Sequence, residues 1–175
     1  GQYEMLVRVP PAKYVGGTFR IPAGVKILSD YCMASCRFEY VDFGSTPLSL
    51  GTSAHAATPF GDEVFRGSSL REVTLPADMT LGKGYGSPTA MFMDCKDLEK
   101  AIINMPLAKT GQRMFEGCTS LSSVTLHPKT RISTYAFYGC TSLKRINGAN
   151  LPTDDSAGQF ARSGLTSFNM GSAWT

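Results

Sequence analysis

Residues Met114–Leu126 read Met-Phe-Glu-Gly-Cys-Thr-Ser-Leu-Ser-Ser-Val-Thr-Leu, and Ala136–Asn147 return as Ala-Phe-Tyr-Gly-Cys-Thr-Ser-Leu-Lys-Arg-Ile-Asn. Two near-copies so close together indicate an internal repeat, and a repeat decides the architecture before any other feature. The shared template is Phe-x-x-Cys-x-x-Leu-x-x-Val-x-Leu.

Further copies of the template flank these two. One begins at Phe92, and shorter ones begin at Phe65 and Phe160, while a degenerate first copy can be set on Cys32 and Ser35. The leading phenylalanines are separated by 27, 23, 22 and 23 residues. This period lies in the leucine-rich-repeat range and below that of helical repeats, so the chain is predicted to be a solenoid.

The apolar positions of the template predict one short strand in each copy. Leu-x-x-Val-x-Leu ends in a period-two alternation, which is typical of a strand with one buried face. One unit cannot cover its apolar face, so the copies must stack, with about 4.8 Å between strands of successive coils. The expected fold is a mainly β leucine-rich-repeat solenoid of the right-handed β/α superhelix class. Short parallel strands form one side, with loops and short helical turns on the other.

The two central copies resemble the BspA-like class of leucine-rich repeats, found mostly in surface proteins of gut and oral bacteria. The resemblance rests on Met114–Ser122 and Ala136–Lys144, on Ile27 and Ile132 at the leading position of the unit, and on prolines that follow the strands. It covers roughly residues 25–170. It implies a scaffold, and its pattern contains no catalytic residue.

Composition agrees with a single soluble-type domain. The chain has 175 residues, 42% of them hydrophobic, and its 18 glycines and 10 prolines suit short strands joined by turns. Only 18% of residues are charged and the net charge is +3, too weak for a nucleic-acid or anionic-membrane surface. No apolar run approaches the ~20 residues of a membrane span. Neither nucleic acid nor membrane insertion is therefore expected.

Residues 1–26 depart from the repeat and are predicted to form a strand pair that caps the open edge of the first coil. Met5–Val9 and Thr18–Ile21 read as strands, with two prolines and two glycines between them. A solenoid needs such caps against edge-to-edge association, although a flexible leader is the alternative. Residues 27–175 are expected to form one repeat domain of about six coils.

Two stretches interrupt the array. Ser45–Pro59 is rich in Ser, Thr, Ala and Gly, and it explains why Phe38 and Leu70 lie 32 residues apart. We expect it to be a loop inserted in one coil. Leu81–Ser87 is a smaller insertion, and its three glycines lack the spacing and the strand–helix context of a phosphate-binding loop.

The five cysteines predict buried thiols. Cys95, Cys118 and Cys140 share one repeat position and should stack inside the solenoid as small hydrophobic groups. Stacked side chains point the same way, whereas a disulfide needs Cβ atoms about 3.8 Å apart with a specific torsion. Cys32 and Cys36 could bridge only across a suitable turn, and the odd total leaves at least one free thiol.

No metal, cofactor or catalytic constellation is expected. His55 and His127 are the only histidines, and no Cys-x-x-Cys pair is present to hold zinc. Asp154 and Asp155 are adjacent on a loop, where carboxylates are usually solvated, whereas glycoside hydrolysis needs two carboxylates facing each other across a sugar. The chain is therefore predicted not to be an enzyme.

The outward side of the stacked strands remains as the candidate binding surface. Its charges balance but are uneven, acidic at Glu39 and Asp42 and basic at Lys144 and Arg145, which suits a partner of mixed charge. Tyr40 and Ile102 are the expected anchors because exposed bulky groups can dominate binding. The candidate ligand-binding residues are Tyr40, Asp42, Arg71, Glu72, Glu99, Lys100, Ile102, Lys144, Arg145 and Asn147.

The resemblance and this face together predict a non-catalytic binding module of an exported bacterial surface protein. Its partner would be a protein or a polysaccharide, engaged in adhesion or host interaction. The alternative is a structural spacer or accessory domain of a larger surface assembly, without a ligand of its own. The expected location is the cell surface or the extracellular space. Lipid anchoring through a removed N-terminal signal is one route, since Gly1–Gln2 fits a start left after removal of an upstream segment.

Overall fold

The computed structural model describes residues 5–45, 62–81, 87–128, 130–148 and 157–166, together with the backbone of Ser49–Leu50. No helix occurs in these segments, so the short helical turns predicted on the side opposite the strands are absent from them, and turns without helical structure take their place. The strands are β1 Met5–Leu6, β2 Thr18–Arg20, β3 Ile27–Leu28, β4 Tyr40–Asp42, β5 Ser49–Leu50, β6 Glu72–Leu75, β7 Thr80–Leu81, β8 Lys100–Ile103, β9 Ser123–Leu126 and β10 Arg145–Asn147.

The strands follow two lines along the molecule, and all their pairings are parallel. The first line is one sheet in the order β1-β3-β5-β7, and the second consists of β2-β4 followed by β6-β8-β9-β10. The backbone N–H of Arg71 donates to the carbonyl of Glu39 at 2.9 Å, which joins the two parts of the second line. The predicted parallel-strand solenoid is confirmed.

The second line has the predicted alternation of buried and outward residues. In β6, for example, Val73 and Leu75 are buried while Glu72 and Thr74 are exposed. The same alternation of inward and outward residues recurs in β8, β9 and β10. We call the outward side of this line, with the residues that lead into its strands, the front face.

The core is organised around a ladder of stacked phenylalanine rings. Successive ring centroids lie 5.3, 5.3, 5.2 and 5.7 Å apart, with interplanar angles between 3° and 9°. The rings are spaced like the coils, so each ring covers the face of the next. The ladder consists of Phe65, Phe92, Phe115, Phe137 and Phe160.

Two positions four residues apart have left-handed backbone in six successive coils, with φ between 49° and 74°. The second of them explains the glycine before cysteine in the central copies, because Gly117 and Gly139 adopt this conformation without steric strain. The first position is Tyr31, Glu63, Ala90, Arg113, Tyr135 and Gly158, and the second is Ser35, Gly67, Asp94, Gly117, Gly139 and Arg162.

The prediction that the two strands within residues 1–26 pair with each other is wrong. Strand β1 pairs with β3 and β2 pairs with β4, so residues 5–26 wind as a coil of the solenoid. They continue its packing, since Phe19 stacks on Phe38 at 5.1 Å and the ring of Tyr14 meets Phe19 edge-on. A capping role for this coil stays a prediction.

The insertion begins later than the predicted Ser45. Ser49–Leu50 form a regular strand that pairs with β3 and β7. Corresponding residues are 22 apart from Ile27 to Ser49 but 31 apart from Ser49 to Thr80. The extra length therefore lies after Leu50. Residues 51–61 and the glycines of the second insertion, residues 82–86, lie outside the described residues.

Replacing Phe115 with alanine should lower the free energy of unfolding by about 3–5 kcal/mol, because the ring is fully buried between two others. Urea unfolding followed by circular dichroism measures the change. Phe115→Leu retains most of the volume and should lose markedly less. Equal losses for the two variants would contradict buried apolar volume as the main source of the stabilisation.

Two substitutions at equivalent left-handed positions should have opposite effects. Ser35→Gly should raise the free energy of unfolding by about 0.5–1 kcal/mol, since relief of strain exceeds the added chain entropy. Gly139→Ala should lower it by about 1–2 kcal/mol, because the nearest atom to a new Cβ is 3.8 Å away and only backbone strain is added. Thermal unfolding checks both, and a shift of the same sign in both variants would refute the assignment.

Candidate binding face

The front face arranges its outward side chains in three rows that run across the coils. Backbone hydrogen bonds of 2.7–3.0 Å set the register of the first row, and strand pairing sets the other two from β6 to β10. Tyr40 and Asp42 extend those two rows because they follow Glu39 in the chain. The rows are Glu39, Arg71, Glu99, Ser122 and Lys144; then Tyr40, Glu72, Lys100, Ser123 and Arg145; then Asp42, Thr74, Ile102, Thr125 and Asn147. All ten candidate residues therefore lie on one surface.

Two ion pairs tie neighbouring coils together on this face. Arg71 contacts Glu99 at 2.7 Å, with both side chains about half exposed, at 49% and 50%. Arg20 contacts Asp42 at 2.8 Å. The backbone N–H of Gly44 and the Arg20 guanidinium together hold the pKa of Asp42 below its usual value. Exposed pairs of this kind contribute little to stability, and their clearer consequence is to orient the side chains.

The other charged candidates have no such pairing within the described part of the chain. Glu72, Lys100, Lys144 and Arg145 are exposed and form no ion pair with another described residue. Lys144 and Arg145 concentrate positive charge on the coil of β10, as the sequence predicts. These side chains are available to a partner.

The two expected anchors differ in exposure. The Tyr40 side chain is 37% exposed at the start of β4. Ile102 is only partly exposed, since Thr74 and Thr125 flank it in register on the neighbouring strands. Tyr40 is therefore the more accessible of the two apolar candidates.

An open groove of about 520 Å³ runs along one edge of the front face. It crosses five successive coils. Arg71 and Glu99 are the candidate residues that the structure places in it. Its lining is Val15, Gly16, Arg37, Glu39, Ser69, Arg71, Asp97, Glu99 and Ser120.

Four polar groove residues were missed by the sequence argument, which considered only strand positions. Arg37, Ser69, Asp97 and Ser120 all come just before the leucine, or Phe38 in its place, that leads into the strand. The signal was present, because the unassigned positions of Cys-x-x-Leu are outward as well. Among the described residues, the side chains of Arg37 and Asp97 have no ion-pair or hydrogen-bond partner.

All five cysteines are buried and free, as predicted for Cys95, Cys118 and Cys140. Each of these three thiols donates a hydrogen bond of 3.0 Å to a carbonyl of the preceding coil, that of Phe65, Phe92 and Phe115 respectively. The thiols are therefore hydrogen-bonded structural groups as well as apolar ones. Burial raises their pKa, to about 11 for Cys95 and about 12 for Cys140.

The degenerate first copy is shifted by one residue from the predicted alignment. Cys36 donates its N–H to the carbonyl of Met33, as Cys95 does to Phe92. Met33 and Cys36 therefore occupy the repeat positions that were assigned to Cys32 and Ser35. Without a leading phenylalanine the sequence offered no fixed point for this copy.

The one described aspartate with a raised pKa belongs to a turn and not to the front face. Burial raises the pKa of Asp62 to about 6. Its carboxylate accepts the backbone N–H of Thr89 at 2.9 Å, and its own N–H donates to the carboxylate of Asp30. This aspartate links coils. Within the described segments no group of three or more His, Cys, Asp or Glu residues could hold a metal ion. His55, Asp154 and Asp155 lie outside those segments.

Parallel coils of this length, a stacked apolar ladder and an outward strand face define a leucine-rich-repeat solenoid. The family model described as BspA type leucine rich repeat region (6 copies) matches residues 17–86 and 58–175. The chain therefore belongs to the BspA-type leucine-rich-repeat family. The predicted resemblance is confirmed.

Two solved structures share the fold. A leucine-rich repeat protein from Eubacterium ventriosum aligns with a TM-score of 0.64 and 20% identity over 99% of this chain. A leucine rich cell surface protein from Faecalibacterium prausnitzii aligns with a TM-score of 0.54 and 20% identity over 86% of it. The alignments cover 49% and 35% of those two proteins, so this chain spans about half the length of the first.

No curated protein matches the chain. The leucine-rich-repeat fold is typically a non-catalytic binding scaffold, and proteins of this family are often found at the cell surface. None of the described segments is a helix long and apolar enough to cross a membrane.

The buried thiols should make stability depend on pH in the alkaline range. In the unfolded chain a thiol loses its proton near pH 8.5, whereas the folded protein retains it to about pH 11–12. The unfolded state then binds fewer protons, so stability is intact below about pH 8.5 and falls as the pH rises, by up to about 1.4 kcal/mol per pH unit for each thiol.

Replacing Cys95, Cys118 and Cys140 together with serine should flatten this dependence, because a hydroxyl donates the same hydrogen bond without titrating here. Ser68 already occupies the equivalent position in its own coil. Urea unfolding of both proteins between about pH 8 and 11 tests the prediction. Tyrosine and lysine titrate equally in the two proteins, so identical slopes would show that the thiols do not contribute.

Proposed function

We propose that this chain is a non-catalytic binding module of an exported bacterial surface protein, and that it engages a protein or a glycan through its front face. Adhesion to a host or to a neighbouring cell is the biological setting we infer. The chain itself catalyses no reaction in this proposal, and the scaffold needs no metal or cofactor.

The observation that carries the proposal is the regular display of side chains that the fold does not use. Inward positions are occupied by side chains that hold the coils together. Outward, exposed charges such as Glu72, Lys100 and Arg145 stand in register without ion-pair partners among the described residues. Such an array offers electrostatic complementarity to a partner at no loss of core packing.

Export to the cell surface is part of the proposal. It is supported by family membership and by the neighbour from Faecalibacterium prausnitzii, which is described as a leucine rich cell surface protein. Attachment through a lipid at a processed N-terminus is one arrangement consistent with the proposal.

A spacer without its own ligand is the second candidate. The coil of β9 supports it, because its outward residues Ser122, Ser123 and Thr125 are small hydroxyls that provide no large anchor. Such a coil divides the charged ends of the front face. In the spacer hypothesis, the outward side chains serve solubility alone.

A binding screen against extracellular-matrix proteins and bacterial and host polysaccharides separates the two candidates. It compares the wild-type protein with the front-face variant Tyr40→Ala/Lys144→Glu/Arg145→Glu. The expected result is a partner whose affinity falls at least about tenfold in this variant, because an aromatic contact is removed and two positive charges are reversed.

The matched control is Tyr31→Ala/Arg8→Glu/Lys109→Glu, which makes the same kinds of change off the front face. It should bind like the wild type. A partner that both variants retain would place recognition elsewhere on the molecule. The absence of any partner in the screen would favour the spacer.

A further inference from the structure

The groove differs in chemistry from the rest of the front face. It crosses five coils, and at about 4.8 Å per coil its floor is roughly 20 Å long. That length suits an extended chain molecule of several units. A single compact metabolite would fill only a small part of it.

The groove lining is rich in hydrogen-bonding groups of both kinds. The guanidinium groups of Arg37 and Arg71 donate, the carboxylates of Asp97 and Glu99 accept, and the hydroxyl of Ser120 does both. The Arg71–Glu99 ion pair fixes two of these groups side by side. Arg37 and Asp97 have no side-chain partner within the described segments, so their capacity is unused.

Three ligand classes fit this lining poorly. A protein hot spot is usually an apolar, aromatic-rich centre depleted of charge, whereas Val15 is the one large apolar side chain of the lining. A polyanion would meet three carboxylates, those of Glu39, Asp97 and Glu99, against two guanidinium groups. An apolar small molecule needs an enclosed apolar cavity.

We propose that the groove binds a neutral oligosaccharide, whose many hydroxyls pair with the alternating donors and acceptors of successive coils. This rests on the proposed function and specifies its ligand class. A sugar hydroxyl both donates and accepts, so it can bridge a guanidinium and a carboxylate that neighbouring coils present. Tyr40 follows Glu39 in the chain and is exposed at the start of β4, where its ring offers an apolar surface to a sugar face beside the groove.

The experiment titrates the purified chain with neutral hexasaccharides of glucose, mannose, xylose and N-acetylglucosamine. A heparin hexasaccharide and an extended peptide of alternating Lys and Glu are the charged comparators. Calorimetry and backbone amide shifts are recorded at about 50 and about 500 mM NaCl, because salt screens charged ligands but not neutral ones.

The expected result is a dissociation constant of about 1 mM or tighter for at least one neutral sugar, unchanged by salt. Asp97→Asn should weaken it at least about tenfold, since a charge-assisted hydrogen bond is replaced by a neutral one. Arg37→Gln should weaken it similarly. Asp78→Asn is the matched control, because Asp78 is also exposed but lies outside the groove, and it should bind normally.

Sugar binding that survives Asp97→Asn and Arg37→Gln would overturn the groove assignment and leave the proposed function standing. Binding of only the heparin or the peptide, with strong salt dependence, would overturn the ligand class. Failure of every probe would overturn the inference altogether. The broader proposal is then tested by the separate binding screen, whose variant changes Lys144 and Arg145, and both of these residues lie outside the groove.

Discussion

Every coil of this protein is hydrogen-bonded to the next through its backbone, in parallel register, and the rest of the structure depends on that constraint. Equivalent residues lie directly above one another, so an inward position must hold a side chain that packs well on its own counterpart. A flat ring meets this requirement, and the phenylalanine ladder repeats at 5.2 to 5.7 Å with nearly parallel planes. The ladder and the backbone register therefore reinforce each other.

The same constraint accounts for the small polar groups inside the solenoid. The carbonyls of Phe65, Phe92 and Phe115 each accept a backbone N–H from their own turn, and each oxygen has a second lone pair. The thiols of Cys95, Cys118 and Cys140 in the next coil donate to it. Among the described residues, no buried side-chain nitrogen or oxygen lacks a hydrogen-bond partner. Glycine precedes cysteine in the central copies because the turn there needs left-handed backbone.

Outward positions are free of this requirement, and their variety follows from that freedom. The first residues of β4, β6, β8, β9 and β10 are Tyr, Glu, Lys, Ser and Arg. No stacking rule limits them, since solvent lies above each one. Function in such a scaffold is carried by a surface that the fold leaves open. Solved relatives at 20% identity therefore share its architecture without indicating its ligand.

The sequence by itself determined the repeat, the parallel strands, the buried thiols and the side of the strands on which the candidate residues lie. These follow from local periodicity, which every coil repeats. Only the tertiary structure decided that residues 5–26 wind as a coil, because the pairing of β1 with β3 and β2 with β4 joins residues that no turn brings together. It likewise revealed the groove, which Arg37, Asp97 and Ser120 line from three different coils. Their shared position depends on the register between coils, and the sequence of a single repeat does not specify that register.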